Sequence, residues 1–297
     1  MARLLPAAAA AITGILVGAT IVATRFVIDQ TNPASLALWR YLIGSCCLLP
    51  PLLLSARARF ERRDFLPIAL LGIIQFGVVV ALLNYALQFI PSAVAALIFA
   101  SFPLLTMILA AALGYEQVTL AKALGVVLTV AGVGFALGEK VAQPKVSEAG
   151  WIGEIAVFAS ALCGAICSVL YRPYLRKYPT LPVSALAMFA SVIFLAALAA
   201  AEGFFNSLPH FTVGGWLAVG FIGISSGLGY YLWLWALSHT TPTKVTVFLA
   251  LSPVTATILG GVFLAERVST TFLWGLLCVA LGLWLAHRQS HHDSAAI

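Results

Sequence analysis

Apolar runs long enough to cross a lipid bilayer recur along the whole chain. A helix that spans the hydrocarbon core needs roughly 20 mostly apolar residues, and ten such runs can be recognised. They occupy residues 6–28, 34–54, 65–88, 92–113, 119–138, 151–170, 182–201, 212–237, 243–263 and 270–286. The runs are apolar on every side, whereas strands of a membrane barrel alternate apolar and polar positions. The sequence therefore predicts an all-α membrane protein with ten transmembrane helices.

The composition favours lipid as the solvent. Hydrophobic residues make up 62% of the chain and charged residues only 9%, whereas a soluble domain carries about 25% charged residues. The net charge of +6 comes from short clusters of Lys and Arg between the apolar runs, without a basic face or a nucleic-acid motif. We therefore expect the lipid bilayer as the environment and no nucleic acid as a partner.

The positions of Lys and Arg predict the orientation. If the N-terminus lies inside, eleven basic residues fall on or near the cytoplasmic side and five fall on the outer half. The cluster from Arg57 to Arg63 dominates this difference. Because loops rich in Lys and Arg stay in the cytoplasm, we expect both termini to be cytoplasmic. The chain is predicted to be a multi-pass protein of the plasma membrane, the inner membrane of a bacterium.

The two halves of the chain are related by an offset of 150 residues. Moving the segment from Leu82 to Ala136 onto the segment from Leu232 to Ala286 needs no gap, and residues that are uncommon in apolar helices coincide. The informative pairs are Pro103 with Pro253, Glu116 with Glu266, Gly125 with Gly275, and Gly132 with Gly282. We therefore predict two repeats, 6–138 and 151–286, joined by a linker at 139–150 and followed by a tail at 287–297.

The number of helices in each repeat predicts how the halves are arranged. Five is an odd number, so the second half enters the membrane from the side opposite to the first. Inverted repeats of this kind are a recurring basis of alternating access, with the substrate site near the midplane between the repeats. The sequence thus predicts a membrane carrier.

The segments that begin at Asn84 and Tyr231 resemble the two EamA domains of the drug/metabolite transporter superfamily. The mid-helix prolines, the glutamates after the fourth and ninth helices, and the glycines of the fifth and tenth helices carry the resemblance. Trp39-Arg40 is similar to the arginine that members often carry on the second helix, while Gly18-Ala19-Thr20 stands where a Trp-Gly is usual.

The resemblance implies a carrier that exports small organic solutes. The size and layout are similar to those of bacterial inner-membrane amino-acid exporters, including exporters of aromatic amino acids. An apolar, aromatic cavity with few fixed charges suits zwitterions with apolar side chains, so an amino acid or a similar metabolite is the first expectation. Export of drugs or other metabolites is the alternative.

Charged residues inside a span are costly and usually face a cavity or a partner. Arg40 lies about two helical turns from the outer end of the second helix. It either holds a substrate carboxylate and sets the field of the cavity, or forms a salt bridge, for which Glu154 is the available acid. Glu154 lies one turn inside the sixth helix, where it either suits the helix N-terminus or acts as a proton-coupling acid.

Aromatic and polar side chains within the spans complete the predicted cavity. Such a cavity needs apolar walls and a few polar groups, although hydroxyls can also bond to their own helix. The predicted lining residues are Trp39, Arg40, Gln75, Phe99, Ser101, Phe102, Glu154, Phe158, Tyr230 and Ser252. Trp233 and Trp235, near the inner end of the eighth helix, are typical of an interfacial belt.

Two prolines and two glutamates have predicted structural roles. Pro103 and Pro253 lie near the middle of the fourth and ninth helices, where they are expected to kink the helix and to free the carbonyl four residues earlier. Glu116 and Glu266 precede Thr119 and Ser269, which resemble N-caps. We expect both carboxylates to stabilise the starts of the fifth and tenth helices.

Other classes of protein have little support in the sequence. Asp29, Asp64 and Asp293 are isolated, and no DDxxD, HExxH or GxSxG motif occurs, so we predict that the chain is not an enzyme. Cys163 and Cys167 share a helix face without a nearby third ligand, so no metal is expected. No cofactor is expected, and no nucleotide-binding loop is present. A channel remains a remote alternative, and the oligomeric state is left open, with a monomer plausible.

Overall fold

The computed structural model describes most of the chain. The described residues are 4–54, 60–115, 120, 123–125, 127–129, 131–132, 135, 148–206, 209–240, 242–266 and 269–289. All regular structure within these residues is helical, which confirms the all-α prediction. The predicted linker at 139–150 and the tail at 287–297 lie largely outside the described residues.

Four helices and part of a fifth belong to the first half of the chain. Helix α1 is Leu4–Val27, followed by a 3-10 turn at Ile28–Gln30, and α2 is Pro33–Leu54. Helix α3 spans Arg62–Ala86 and contains a π-helical segment at Ile73–Val78. Helix α4 spans Ser92–Ala112 with an interruption at residues 100–101. The residues described between 120 and 135 are helical, and we label that segment α5.

The second half contributes five further helices. Helix α6 is Glu148–Leu170, extended by Arg172–Lys177, and α7 is Thr180–Ala201. Helix α8 is Val213–His239. Helix α9 consists of Pro242–Thr246, a 3-10 turn at Val247–Ala250, and Leu251–Leu264, while α10 is Thr270–Gln289.

The helices have the length and polarity of membrane spans. Eight helices in the described part of the chain are long and apolar enough to cross a bilayer, and the apolar part of α10, Thr270–Gly282, is shorter. The protein is therefore a multi-pass membrane protein. The predicted fifth span at 119–138 falls largely outside the described residues, so the total of ten stays a prediction.

The two halves interleave instead of packing side by side. Helix α1 packs mainly against α8 and α9, and α2 packs against α7 and α8. Helix α3 packs against α6 and α7 of the second half, and α4 packs against α6 and α9. Most of the large helix contacts therefore join one half of the chain to the other.

Glycines permit the closest of these contacts. A Cβ atom on Gly227 of α8 would lie 2.8 Å from the carbonyl oxygen of Gly44 on α2, nearer than real Cβ atoms approach. Gly14 and Gly18 of α1 lie equally close to backbone atoms of α9. Small residues at such positions let helix backbones meet in membranes, and here they bring together helices of opposite halves.

Helices α5 and α10 meet through a reciprocal pair of glycine contacts. Gly132 lies against the carbonyl oxygen of Gly275, and Gly282 lies against the carbonyl oxygen of Gly125. The offset of 150 residues seen in the sequence relates Gly125 to Gly275 and Gly132 to Gly282. Each contact is thus the counterpart of the other, as at an interface with two-fold symmetry.

Replacing Gly227 with Val should weaken the contact between α2 and α8. Extra methyl groups in a packed interface typically cost about 1–3 kcal/mol, so we expect a lower midpoint of thermal unfolding in detergent. Gly220→Val is the matched control, because Gly220 lies on the same helix and a Cβ atom there would have no neighbouring atom within 4 Å. Equal midpoints for the two variants would show that the glycine contact does not stabilise the bundle.

Candidate functional site

The side chain of Arg40 lies in the interior, where α1, α2 and α8 meet. It is only 6% exposed. Its Nε atom donates a hydrogen bond to Ser226 Oγ at 2.5 Å, and an Nη atom donates to Thr20 Oγ1 at 3.3 Å. Among the described residues, the guanidinium therefore bonds to two neutral hydroxyls, and the salt bridge to Glu154 that the sequence allowed is not formed.

The two hydroxyls are held in an orientation that suits Arg40. Ser226 Oγ donates its proton to the carbonyl oxygen of Ile222 at 2.6 Å, and Thr20 Oγ1 donates to the carbonyl oxygen of Val17 at 2.9 Å. Serine and threonine hydroxyls each have one proton and two lone pairs. Because both protons are used within the helices, both hydroxyls present lone pairs to the guanidinium.

A small cavity adjoins the guanidinium. Its volume is about 30 Å³, close to the volume that one water molecule occupies in the liquid. The lining residues are Thr13, Leu16, Val17, Thr20, Arg40, Ser225, Ser226, Gly229 and Tyr230. These residues come from both halves of the chain, and in this conformation the cavity holds no more than a water-sized group.

Two groups of aromatic side chains, which share helix α8 and are together called the aromatic row, extend from this cavity. Tyr41 donates a hydrogen bond to the Tyr230 hydroxyl at 3.0 Å, and the ring of Phe76 lies 4.3 Å from that of Tyr230. One turn further along α8, Trp233 packs edge-on against Phe102 at 5.9 Å. The aromatic row consists of Tyr41, Phe76, Tyr230, Trp233, Phe102 and Phe99, the last 5.5 Å from Phe102.

Several of these residues were missed by the sequence analysis. Tyr41 and Phe76 were not singled out, since aromatics are common in apolar helices. The belt interpretation of Trp233 was wrong, because its side chain is 4% exposed and contacts Phe102. The paired hydroxyls of Ser225 and Ser226 in an otherwise apolar run were the available signal for this site.

Four predicted cavity residues carry a buried polar atom that has no hydrogen-bond partner in the part of the chain that the structure describes. They are Trp39, Gln75, Ser101 and Ser252. Trp39 packs edge-on against Phe204 and Trp216, with ring centroids at 6.1 and 5.4 Å, and lies away from Arg40. Buried polar atoms are normally bonded, so these atoms are available to water or solute in a more open conformation.

Phe158 and Glu154 lie on α6, outside the group around Arg40. Phe158 is 48% exposed and shares its helix face with the exposed residues Ile155 and Leu162. That face therefore points away from the aromatic row. Glu154 is buried, but it does not line the cavity beside Arg40.

Both helices that contain a central proline are irregular one turn before it. Helix α4 is interrupted at residues 100–101, before Pro103, and α9 contains the 3-10 turn Val247–Ala250 before Pro253. A proline ring has no N–H and clashes with the carbonyl four residues earlier, which here belongs to Phe99 or Leu249. The two irregular turns lie beside Ser101 and Ser252, whose hydroxyls lack partners among the described residues.

Comparison with known proteins identifies the family. The profile of the EamA-like transporter family matches residues 4–138 and 151–288. The chain belongs to this family. A solved crystal structure superposes with a TM-score of 0.74 over 95% of this chain and 96% of that one, at 22% identity, which shows a common fold.

Relatives of this EamA-family protein carry transporter names. An uncharacterized transporter of Archaeoglobus fulgidus is 26% identical and aligns over 92% of this chain and 95% of its own length. A probable terminal-alkyne amino-acid exporter of Streptantibioticus cattleyicolor is 26% identical over 90% of this chain and 88% of its own. The uncharacterized inner membrane transporter YedA of Escherichia coli K12 is 26% identical over 91% of this chain and 89% of its own length. The EamA-family chain is therefore a plasma-membrane transporter.

Two glutamates of the second half bind the starts of helices in the first half of this transporter. Glu202 accepts hydrogen bonds from the backbone N–H groups of Ala34 and Ser35 at 3.0 and 2.8 Å, and from Ser35 Oγ at 2.9 Å. Glu266 accepts from the N–H of Ser92 at 2.8 Å, from Ser92 Oγ at 2.8 Å and from the N–H of Ala93 at 3.2 Å. We call these two sets of bonds the carboxylate clasps.

The clasp at Glu266 corrects the expected role of this residue. The Glu266 carboxylate binds the start of α4 and not the start of α10. The N-cap of α10 is Ser269, as predicted, and the Ser269 Oγ atom accepts a hydrogen bond from the N–H of Phe272 at 3.1 Å. Ala265 has a φ of 51°, which non-glycine residues rarely adopt, and it turns the chain toward α4. Glu116, its counterpart, lies outside the described residues.

The clasps lie at one end of the bundle and an ion-pair cluster lies at the other. Both clasps lie at the α1–α2 end, which comprises residues 28–32, 87–91, 202–206 and 265–266. At the α2–α3 end, with residues 60–61 and 177–180, the Lys177 ammonium bonds to Glu61 and Asp64. The hydrogen bond from Lys177 to Glu61 holds the pKa of the Glu61 carboxyl below its usual range. Contacts between the halves therefore join them at both ends of the bundle.

Replacing Glu266 with Ala should destabilise the fold through the start of α4. Loss of a helix-capping acceptor costs about 0.5–2 kcal/mol, and Pro91 before Ser92 has no side-chain acceptor that could replace it. We expect a lower midpoint of thermal unfolding in detergent. Glu61→Ala is the control, because Glu61 is solvent-exposed and its ion pair should contribute less. A larger loss for Glu61→Ala would contradict the importance of the clasp.

Proposed function

We propose that this protein is a carrier that exports small organic solutes, with amino acids as the first class, by alternating access. The observation that supports it best is the site around Arg40, which lies between helices of both halves, and these halves contact each other at both ends of the bundle. A site of this kind reaches either side of a membrane only when one set of contacts breaks. That is the behaviour expected of a carrier in a family of transporters.

We further propose that the halves are inverted five-helix repeats with both termini in the cytoplasm. The reciprocal contacts of Gly132 with Gly275 and of Gly282 with Gly125 support a two-fold relation between them. The separate matches of the family profile to residues 4–138 and 151–288 also support two equivalent units. The distribution of Lys and Arg supports the orientation, which puts the α1–α2 end outside.

Amino acids with apolar side chains suit the chemistry of the proposed cavity. The aromatic row offers an apolar wall, and Arg40 with its hydroxyls offers a polar end. When the helices separate, Gln75, Ser101 and Ser252 add polar groups whose buried atoms have no partner among the described residues. The amino-acid exporter among the relatives is in keeping with this class.

Export of drugs or other metabolites is the alternative transport function. It is favoured by the size of the aromatic row, because an extended aromatic wall accepts many apolar solutes. Both are carrier functions, and we propose neither a catalytic role nor a cofactor. Relatives named as transporters support this choice over an enzyme.

Counterflow in proteoliposomes tests the proposal. Vesicles containing the purified protein are loaded with unlabelled tryptophan, methionine or threonine, and uptake of the same labelled amino acid is followed. We expect saturable uptake that exceeds uptake by protein-free vesicles. A pH gradient that changes the rate in the wild type but not in Glu154→Gln would assign proton coupling to Glu154.

Absence of exchange for every amino acid, with folded protein present in the vesicles, would contradict the amino-acid proposal. Exchange of apolar drugs by the same vesicles would then support the alternative. Flux that does not saturate with concentration would contradict a carrier and indicate a channel.

Weakening the carboxylate clasps should open the α1–α2 end. In the double variant Glu202→Gln and Glu266→Gln, each side chain keeps one acceptor oxygen and gains an NH₂ group that cannot accept from the helix N–H groups. We expect longer distances between spin labels at residues 29 and 205, measured by pulsed electron paramagnetic resonance in a variant without its native cysteines.

Labels at residues 54 and 176 report on the α2–α3 end and serve as the matched control. Their separation should stay unchanged or shorten as the α1–α2 end opens. A double variant with the distance distributions of the unmodified protein at both ends would contradict a gating role for the clasps.

A further inference from the structure

Arg40 carries a buried positive charge that meets no negative partner within the described part of the chain. Arg40 is 6% exposed and forms its hydrogen bonds with Ser226 and Thr20, both neutral. A guanidinium has five N–H donors and no acceptor, and a buried ion is costly unless it is paired. The residues that line the adjoining cavity, within the described part of the chain, include no carboxylate.

We propose that Arg40 binds the carboxylate of the transported solute, and that the site selects apolar monocarboxylates without requiring an amino group. This inference rests on the proposed carrier function and names its substrate class. The planar fork of a guanidinium matches a carboxylate through two parallel hydrogen bonds. Lysine would supply the charge but not this geometry.

Three of the hydroxyls that line the cavity have their protons engaged by backbone carbonyl groups. Ser226 and Thr20 use their protons within α8 and α1, as described above. Thr13 does the same, donating to the carbonyl oxygen of Ala9 at 2.9 Å. An anion in this cavity therefore receives hydrogen bonds from Arg40 and not from these three hydroxyls, and two of them, Ser226 and Thr20, accept hydrogen bonds from Arg40.

An ammonium group finds little to bind it at the same position. The positive charge of Arg40 repels it, and the described lining residues offer it hydroxyl oxygens in place of a carboxylate. The α-amino group of an amino acid, held on the carbon next to the carboxylate, meets no acidic partner among these lining residues and contributes little to selection. Deaminated acids should be recognised, and decarboxylated amines should not.

The aromatic row accounts for the apolar part of the solute. Tyr230 lines the cavity and belongs to the row, and Trp233 follows one turn along α8 with Phe102 beside it. A solute whose carboxylate meets Arg40 can therefore lay an apolar body along Tyr230 and Trp233. The present volume of about 30 Å³ admits a water-sized group, so binding requires α1 and α8 to separate.

Equilibrium binding to the purified protein tests the inference with three probes of one skeleton. They are 3-phenylpropanoate, phenylalanine and phenethylamine, which carry a carboxylate alone, both groups, and an ammonium alone. We expect 3-phenylpropanoate and phenylalanine to bind with affinities within about tenfold of each other, and phenethylamine to bind at least about tenfold more weakly than either. Equal binding of the amine and the acid by the unmodified protein would overturn the inference.

Variants at the site give the second arm of the test. Arg40→Gln should weaken binding of 3-phenylpropanoate at least about tenfold, and Arg40→Lys should restore part of it. Arg25→Gln is the matched control, since Arg25 lies near the end of α1, pairs with Asp29 and does not line this cavity. The comparison of the three probes on the unmodified protein decides the question even where Arg40→Gln does not fold.

Measurements of binding and of transport distinguish the carboxylate site at Arg40 from the proposed carrier function. Acid-selective binding without exchange in proteoliposomes would leave the carboxylate site standing and contradict the carrier. Exchange of amino acids that is inhibited equally by the acid and by the amine would support the carrier and overturn the carboxylate site.

Discussion

The close approach of α2 and α8 at Gly44 and Gly227 is the contact on which the arrangement of the site depends. A Cβ atom at Gly227 would lie 2.8 Å from the Gly44 carbonyl oxygen and push the two backbones apart, while one at Gly44 would meet backbone atoms of α8 at 3.3 Å. Arg40 lies one turn before Gly44, and Ser226 directly precedes Gly227, so the glycine contact sets the distance between the guanidinium and its hydroxyl. A buried charge is tolerated here because packing brings a polar partner to it.

The carboxylate clasps show how a bundle in lipid can be both stable and able to move. Backbone N–H groups at a helix start have no partner within the helix, and Glu202 and Glu266 supply acceptors for α2 and α4 from the other half of the chain. Because the clasps join the halves, they stabilise the arrangement that the structure shows at the α1–α2 end. In the proposed alternating-access cycle, water would replace the carboxylates when that end opens, which would limit the free energy of opening.

The prediction from sequence succeeded where local chemistry decides the structure. The apolar runs predicted the described helices to within a few residues at most ends, because a chain in lipid must satisfy its backbone hydrogen bonds within each span. The central prolines marked the irregular turns before Pro103 and Pro253, because a proline disturbs the carbonyl four residues earlier wherever it occurs. Arg40 stood out for a similar reason, since an ionisable residue in a span is expensive in any context.

The sequence by itself determined that this is an all-helical membrane protein related to transporters, and it indicated Arg40 as a candidate. Only the tertiary structure decided which residues Arg40 meets, that Tyr41, Phe76 and Trp233 belong to the aromatic row while Phe158 does not, and that Glu266 binds the start of α4. The physical reason is that helices apolar on every side carry no periodic pattern that separates a buried face from a lipid-facing one. Contacts between distant helices follow from close packing at glycines and from single hydrogen bonds, which local sequence does not reveal.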